Sequence, residues 1–552
     1  MRDGKDTDQQ TSAHAKLLGA AKATLFFLFW ALVFGVSYTQ PPLYYSNQNQ
    51  YFLHGLARGG DGFLNEDWLA NTADPTPAFS ALIAFTYRHL NANFFYIYYL
   101  LLFGVYFHAL VGIFTSLSSR RPTLLTRLAF LVLFVALHSA LLRWTSAQLL
   151  GVDYPWYFQA GVANQYILGA GLQPSVFGVL LVLSVSTFLR DRPLPAVTWS
   201  SLAAVMHSTY LLSAALLTLA YLYLLCRDKR VRTALLAGLW ALLLVSPVLV
   251  YNLITFAPSS SGAFAESQHL LAHFRIPHHA LVERWLDGIA CAQIGWVLVA
   301  MYLVRGSRLF VVLLVTFILS LLLTLVQIVT GNDTLALLFP WRTSAILVPI
   351  ATAVILTRLV HLLSSWFRSP SLLRERTIGT VCAVVLTILV SGGATINYFA
   401  LGYRTNTQEI PLLEYVRDHH SPGETYLLPV EIPNSGKRGA ASLNFTSPPQ
   451  RSKQNQVISV DLQSFRLCTG APIYVDFKSI PYKDVEVLEW HKRVDWNHKL
   501  YKDRDWDQRE IGAELARRRI THVIATEDRD IHCDALEFVR EVEGYRVYRV
   551  RE

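Results

Sequence analysis

The chain has 552 residues, of which 53% are hydrophobic and 16% charged, with a mean hydropathy of +0.33. A soluble domain carries about 25% charged residues, and the shortfall here falls before residue 402, which excludes an ordinary soluble enzyme and a disordered chain. The formal charge of +9 also divides unevenly: residues 1–402 hold 25 Lys and Arg against 15 Asp and Glu, and residues 403–552 hold 23 against 24, so the basic balance belongs to membrane topology and not to nucleic-acid binding.

In chain order, a hydrophilic tail at 1–17 precedes apolar stretches near 18–38, 94–117, 124–142, 172–189, 233–254, 289–304, 309–329, 343–360 and 377–398. These approach the roughly 20 residues a helix needs to cross about 30 Å of hydrocarbon. The first lacks a small-residue cleavage site and reads as a retained helix, not a signal peptide. Leu194–Leu225 lies between Arg190-Asp191-Arg192 and the basic run ending at Arg232. Both flanks look cytoplasmic, so this stretch must cross an even number of times, with the polar His207-Ser208-Thr209-Tyr210 at the reversal. Arms of 13 to 16 residues reach only roughly 20–24 Å at 1.5 Å per residue. The expectation is a short hairpin whose tip lies below the surface in a polar cavity.

The hairpin brings the count to about 11 helices in a mainly α, polytopic membrane domain at 18–402, with a first outer loop at 39–93. With the N-terminus inside, the inner segments and their flanks hold 19 Lys and Arg and the outer ones 6, as the positive-inside rule requires. The expected location is therefore the plasma membrane, with a cytoplasmic N-terminus and an extracytoplasmic domain at 403–552.

In that domain the apolar runs become short. Tyr426–Val430, Pro472–Phe477 and His522–Thr526 read as strands, and Ile410–His419, Val485–Val494, Ile511–Arg519 and Cys533–Val542 as helices, which predicts a small α/β layer. Asn434–Gln456, rich in Ser, Asn, Pro, Lys and Arg, reads as a mobile loop. The domain carries no GxSxG, phosphate loop or metal-ligand pattern and reads as a lid or docking domain. The five cysteines form no zinc spacing; Cys468 and Cys533 can bridge if this domain is exported, or remain free.

The first outer loop is the richest segment for chemistry. It runs through Asn47-Gln48-Asn49-Gln50, a helical pattern at Tyr51, Leu53, Leu56 and Ala57, Gly59-Gly60, and the acids Asp61, Glu66, Asp67 and Asp74. A short interfacial helix ending at the glycines would leave these acids over the membrane cavity. A carboxylate there can take a proton from an attacking hydroxyl or hold a divalent cation such as Mg or Mn; each acid alone can also be a solvated charge or a cap. Asp67 is the first choice as base, with Asp61, Glu66 and Asp74 beside it, and Asp67 with Glu66 as ligands if a metal binds.

Arg342, in Phe339-Pro340-Trp341-Arg342, offers a fork suited to phosphate, or it snorkels to an acid such as Asp333. Arg143, Asp153 and Trp156 mix aromatic and polar groups as a sugar site does and as an interfacial belt does. His269, His273, Arg275, His278 and His279 form a His-rich loop that reads as ordinary loop histidines in preference to a metal site, although His with Arg275 can hold a lipid phosphate. His207, at the hairpin tip, is a candidate supporting donor.

The loop helix after the first span, the segments Gly60-Asp61 and Asn65-Glu66-Asp67-Trp68-Leu69, the many short membrane helices and the C-terminal α/β domain together resemble the GT-C superfamily of membrane glycosyltransferases, which includes the protein O-mannosyltransferases and the lipid A aminoarabinose transferase. The resemblance covers the whole architecture through short motifs. It implies transfer of a sugar from a polyprenyl-phosphate carrier to a glycan, lipid or protein acceptor, with an arginine such as Arg342 on the donor phosphate. Many members carry an acidic pair directly after the first helix, where this chain has Asn47-Gln48-Asn49-Gln50, and an amide cannot act as a base. Either the later acids replace that pair, or the protein is a non-catalytic lipid-linked glycan binder, transporter or assembly partner for surface polysaccharide.

Overall fold

The computed structural model describes residues 3–118, 122–366, 372–401, 407–430, 432, 462–503, 506, 510–527 and 531–551. The expected loop Asn434–Gln456 lies outside them. The described residues are mainly helical, with one small sheet among them near the C-terminus.

Among the described residues, seven helices are long and apolar enough to cross a membrane: Leu18–Tyr38, Phe94–Leu117, Ser208–Arg227, Val231–Thr255, Arg308–Thr330, Asp333–Ser364 and Arg376–Tyr398. They expose rows of large apolar side chains, such as Leu235, Leu236, Leu239, Leu242 and Leu243 on one helix. A soluble surface does not tolerate such a patch, whereas lipid does. The chain thus has the helices of a multi-pass membrane protein, with the bilayer as partner.

The expected count of about eleven is not reached by full-length helices. The stretch read as one span at 124–142 is two helices, Leu124–His138 and Ala140–Leu150, bent by 52°. Ser139 causes the break: it is extended, and its Oγ accepts the Leu142 N–H at 3.2 Å, capping the second helix. Pro174–Leu189, Pro193–Met206 and Gly288–Leu303 are apolar but short. The hairpin does form: Pro193–Met206 and Leu211–Arg227 pack together around a turn at Ser208–Tyr210, and His207 and Tyr210 at the tip are buried.

The first long loop folds inward. Its expected interfacial helix is two short helices, Gln48–Tyr51 and Leu53–Gly59, closed by Gly60 at φ 84°. Leu53, Leu56 and Phe52 are buried in the main core, because a helix the sequence reading omits, Pro77–His89, covers them. The signal for it was Pro77 at the first helical position with Phe79, Ile83 and Thr86 on one face. Gly55 permits the contact, since a Cβ there would lie 2.5 Å from Ile83 Cβ.

Near the C-terminus, β1 (Tyr426–Leu427), β2 (His522–Thr526), β3 (Leu536–Val542) and β4 (Tyr545–Val550) form a sheet in the order β1-β2-β4-β3. β1 and β2 are parallel; β4 is antiparallel to both neighbours. Pro472–Phe477 contributes only a bridge from Ile473 to Tyr426. The helix expected at Cys533–Val542 is corrected to a strand: Val542 pairs with Tyr545 across Glu543-Gly544, and with Gly544 at φ 82° the hairpin outweighs local helical spacing. All five cysteines are free, so Cys468 and Cys533 are not bridged.

The loop joins the two parts. Phe63 N–H donates to the Gly470 carbonyl at 2.9 Å, Arg493 stacks 4.2 Å over Trp68, and the Ala73 N–H meets Glu486 at 3.1 Å.

Candidate functional site: a donor-rich cationic crevice

The loop acids turn inward to backbone and arginine partners. Asp67 Oδ1 accepts the N–H groups of Leu69 and Ala70 at 2.9 and 3.3 Å. Its Oδ2 accepts Ile473 N–H at 3.0 Å and lies 2.8 Å from Arg466 Nε, with both side chains buried. Asp74 pairs with Arg58 at 3.0 Å and accepts Thr76 N–H at 2.9 Å. Glu66 accepts Gly423 N–H at 2.8 Å. Asp61 accepts the Tyr87 hydroxyl at 2.9 Å, and burial raises its carboxyl above the usual range despite that bond. Asp153 accepts Arg143 Nε at 2.9 Å, with the guanidinium 4.5 Å over Trp156. These residues pin the loop and brace the fold, each with its own partner.

The basic candidates converge instead. Arg342 Nη2 donates to His207 Nε2 at 3.1 Å, and its guanidinium lies 5.1 Å over Tyr210. A guanidinium only donates, so Nε2 accepts and the His207 proton rests on Nδ1. Tyr51 packs edge-on against His207 with centroids 5.8 Å apart. Arg275, buried, donates through Nη2 to the Lys478 carbonyl at 2.6 Å and lies 5.2 Å from the Phe477 ring centre. Lys478 Nζ donates to Ser46 Oγ at 3.1 Å. Tyr482 accepts from Gln50 Nε2 at 3.1 Å, and Asn47 Nδ2 donates to the Tyr166 hydroxyl at 3.3 Å.

Arg342, Arg275 and Lys478 all act electrostatically on the neighbouring His279. Burial, then Arg275, pull the Lys478 ammonium down from 10.5 to about 8, opposed by Asp476. Burial, then His279 and the cations, push His278 down to about 2. Burial, then Arg342, Arg275 and Lys478, lower His279 to about 4, although its Nδ1 donates to the Ala163 carbonyl at 2.6 Å. Among the described residues no carboxylate lies within 4 Å of the Arg275, Arg342 or Lys478 cations, and His207 Nδ1, Arg275 Nε and Arg342 Nε find no acceptor. Buried donors without acceptors are costly; two of these belong to the arginines themselves and the third to His207 beside Arg342, an arrangement whose chemistry suits an anion.

The structure thus brings His207, Arg275 and Arg342 together and leaves Asp61, Glu66, Asp67, Asp74, Arg143, Asp153 and Trp156 in separate contacts. Trp156 packs edge-on against Tyr166, ring centres 5.5 Å apart. Sequence reasoning missed Lys478, Tyr51, Tyr166 and Tyr482. Lys478 follows the apolar run ending at Phe477, and nothing local distinguishes it from a surface lysine. The Asn47–Gln50 amides are structural and lining groups: Gln48 accepts Tyr44 N–H at 2.7 Å and donates to the Leu172 carbonyl at 3.1 Å.

A family described as a domain of unknown function, DUF6798, matches residues 450–496. That segment supplies Lys478, Phe477 and Tyr482 to the crevice. No curated protein matches the chain.

Proposed function

We propose that the crevice binds the phosphate of a polyprenyl-phosphate sugar and that the chain is a GT-C-like membrane glycosyltransferase. It would pass the sugar to a glycan, lipid or protein hydroxyl on the extracytoplasmic face of the plasma membrane. The observation that carries this reading is the set of Arg342, Arg275, Lys478 and His207, which among the described residues has no carboxylate within 4 Å of its cations, with three N–H donors lacking acceptors. Such groups would hold a lipid phosphate and stabilise it as it leaves the sugar. Eleven crossings follow if the bent pair and the three shorter apolar helices also cross, and the C-terminal domain then lies outside with the crevice.

One observation favours a second reading, a non-catalytic binder, transporter or assembly partner for lipid-linked glycan. All the loop acids proposed as base are engaged away from the crevice, and His278 and His279 are too weakly basic to take a proton at neutral pH.

Native mass spectrometry with lipid extraction tests the shared step. Gently purified parent protein should carry a polyprenyl phosphate or its sugar adduct, and Arg342→Ala should lose it. Bulk phospholipid alone in both samples would refute donor binding. If the lipid is retained, sugar transfer from the purified adduct to added acceptors separates enzyme from binder.

A further inference from the structure

A second cluster forms where the helix Ser261–His269 runs into a π-helical turn at Leu270–Arg275. His269 and His273, four residues apart, stack with ring centroids 4.2 Å apart and planes 27° from parallel. Both ring edges meet one carboxylate: His269 Nδ1 lies 3.2 Å from Asp333 Oδ2, and His273 Nε2 lies 2.8 Å from Asp333 Oδ1. The three ligand atoms fall within 4.8 Å of one another.

We propose that His269, His273 and Asp333 bind one divalent transition-metal ion of the zinc class. Two imidazoles and one carboxylate suit a borderline ion; magnesium and calcium prefer all-oxygen sites. Bonds of about 2.0–2.2 Å in a tetrahedron place ligand atoms roughly 3.4 Å apart, so small side-chain shifts admit the ion. The imidazoles are 62% and 41% exposed, which leaves a way in and room for a water in the fourth position.

The two segments are already packed together, with Ala272 and Ala280 against Ala336, so little ordering opposes binding. His273 stands two residues before Arg275, and Asp333 nine before Arg342. An ion here would clasp together the two segments that deliver the crevice arginines.

Chelator-treated full-length protein in detergent is titrated with zinc by calorimetry, and with cobalt by visible absorption. The parent should take up one equivalent of zinc and give the intense absorption of tetrahedral cobalt. His273→Ala and Asp333→Asn, at an exposed and a partly exposed position, should fold with an unchanged metal-free melting temperature and lose at least the roughly 10- to 100-fold in affinity that outer-shell changes alone produce. No stoichiometric uptake by the parent, or equal affinity in parent and variants, would overturn the proposal. Lipid retention plays no part in these readouts, so the donor-site reading can fail while this one stands.

Discussion

Arg342 and His207, 135 residues apart in sequence, meet at 3.1 Å with the guanidinium donating to Nε2, and this bond leaves His207 Nδ1–H without an acceptor. Neither group could satisfy the other's remaining donors, since both now only donate. The proposed anionic ligand would supply the acceptors that both groups lack.

Removing that arrangement should act on ligand affinity more than on folding. Hydrogen bonds to a charged group contribute about 1.5–3 kcal/mol, so Arg342→Ala should weaken retention of a lipid phosphate by roughly 10- to 150-fold. Arg342→Lys should recover only part, because an ammonium cannot present the fork. Equal lipid occupancy of parent and Arg342→Ala by native mass spectrometry would refute this.

Lys478 gives the crevice a pH dependence. Its ammonium is held at about 8, chiefly by burial, so the positive charge is full below that pH and lost as pH rises through it. Affinity for a phosphate headgroup should fall by up to about tenfold per pH unit above the inflection, since a bound anion retains the proton. Lys478→Arg should abolish the inflection; a flat parent profile between about pH 7 and 9.5 would dismiss the lysine.

His278 and His279 should make the fold acid-sensitive. Burial holds them down to about 2 and 4, whereas the unfolded chain takes up protons near 6.5. The unfolded state then binds more protons at every pH between these values and 6.5, so stability is full above 6.5 and falls as the medium is acidified. Melting temperatures from pH 7.5 to 5 should drop less in a His278→Gln variant.

Asp67 is a test of structure against catalysis. Losing one partner of a buried ion pair costs about 3–5 kcal/mol, and Asp67→Asn should sit near the lower end because Asp476 remains 3.2 Å from Arg466. A lower melting temperature with unchanged lipid retention per folded molecule is expected. Unchanged stability with lost turnover would return Asp67 to the role of base.

Gly55 tests the packing of the first loop. Gly55→Ala would force a methyl against Ile83 Cβ and the Ser80 carbonyl, at 2.5 and 2.7 Å. Overpacking there should cost about 1–3 kcal/mol, read as lower thermal stability with the crevice residues unchanged.

The sequence by itself determined the membrane class, the apolar stretches and the reversal at His207. These follow from local quantities, because hydrocarbon admits only long apolar runs with satisfied backbones and a polar tip interrupts such a run visibly. It also determined the edges of β2 and the helix Ile410–His419, where apolar spacing and flanking polar residues agree. Tertiary structure alone decided which charges are spent and which remain for a ligand. Asp67 and Arg342 look equally functional in the sequence, yet Asp67 meets Arg466 and three backbone donors from segments up to 406 residues distant, while Arg342 meets a neutral imidazole acceptor and a tyrosine ring but, among the described residues, no carboxylate within 4 Å. Whether a charge has a partner depends on long-range contacts that no local spacing encodes. For the same reason the spacing at Cys533–Val542 suggested a helix until pairing with β4 made it a strand.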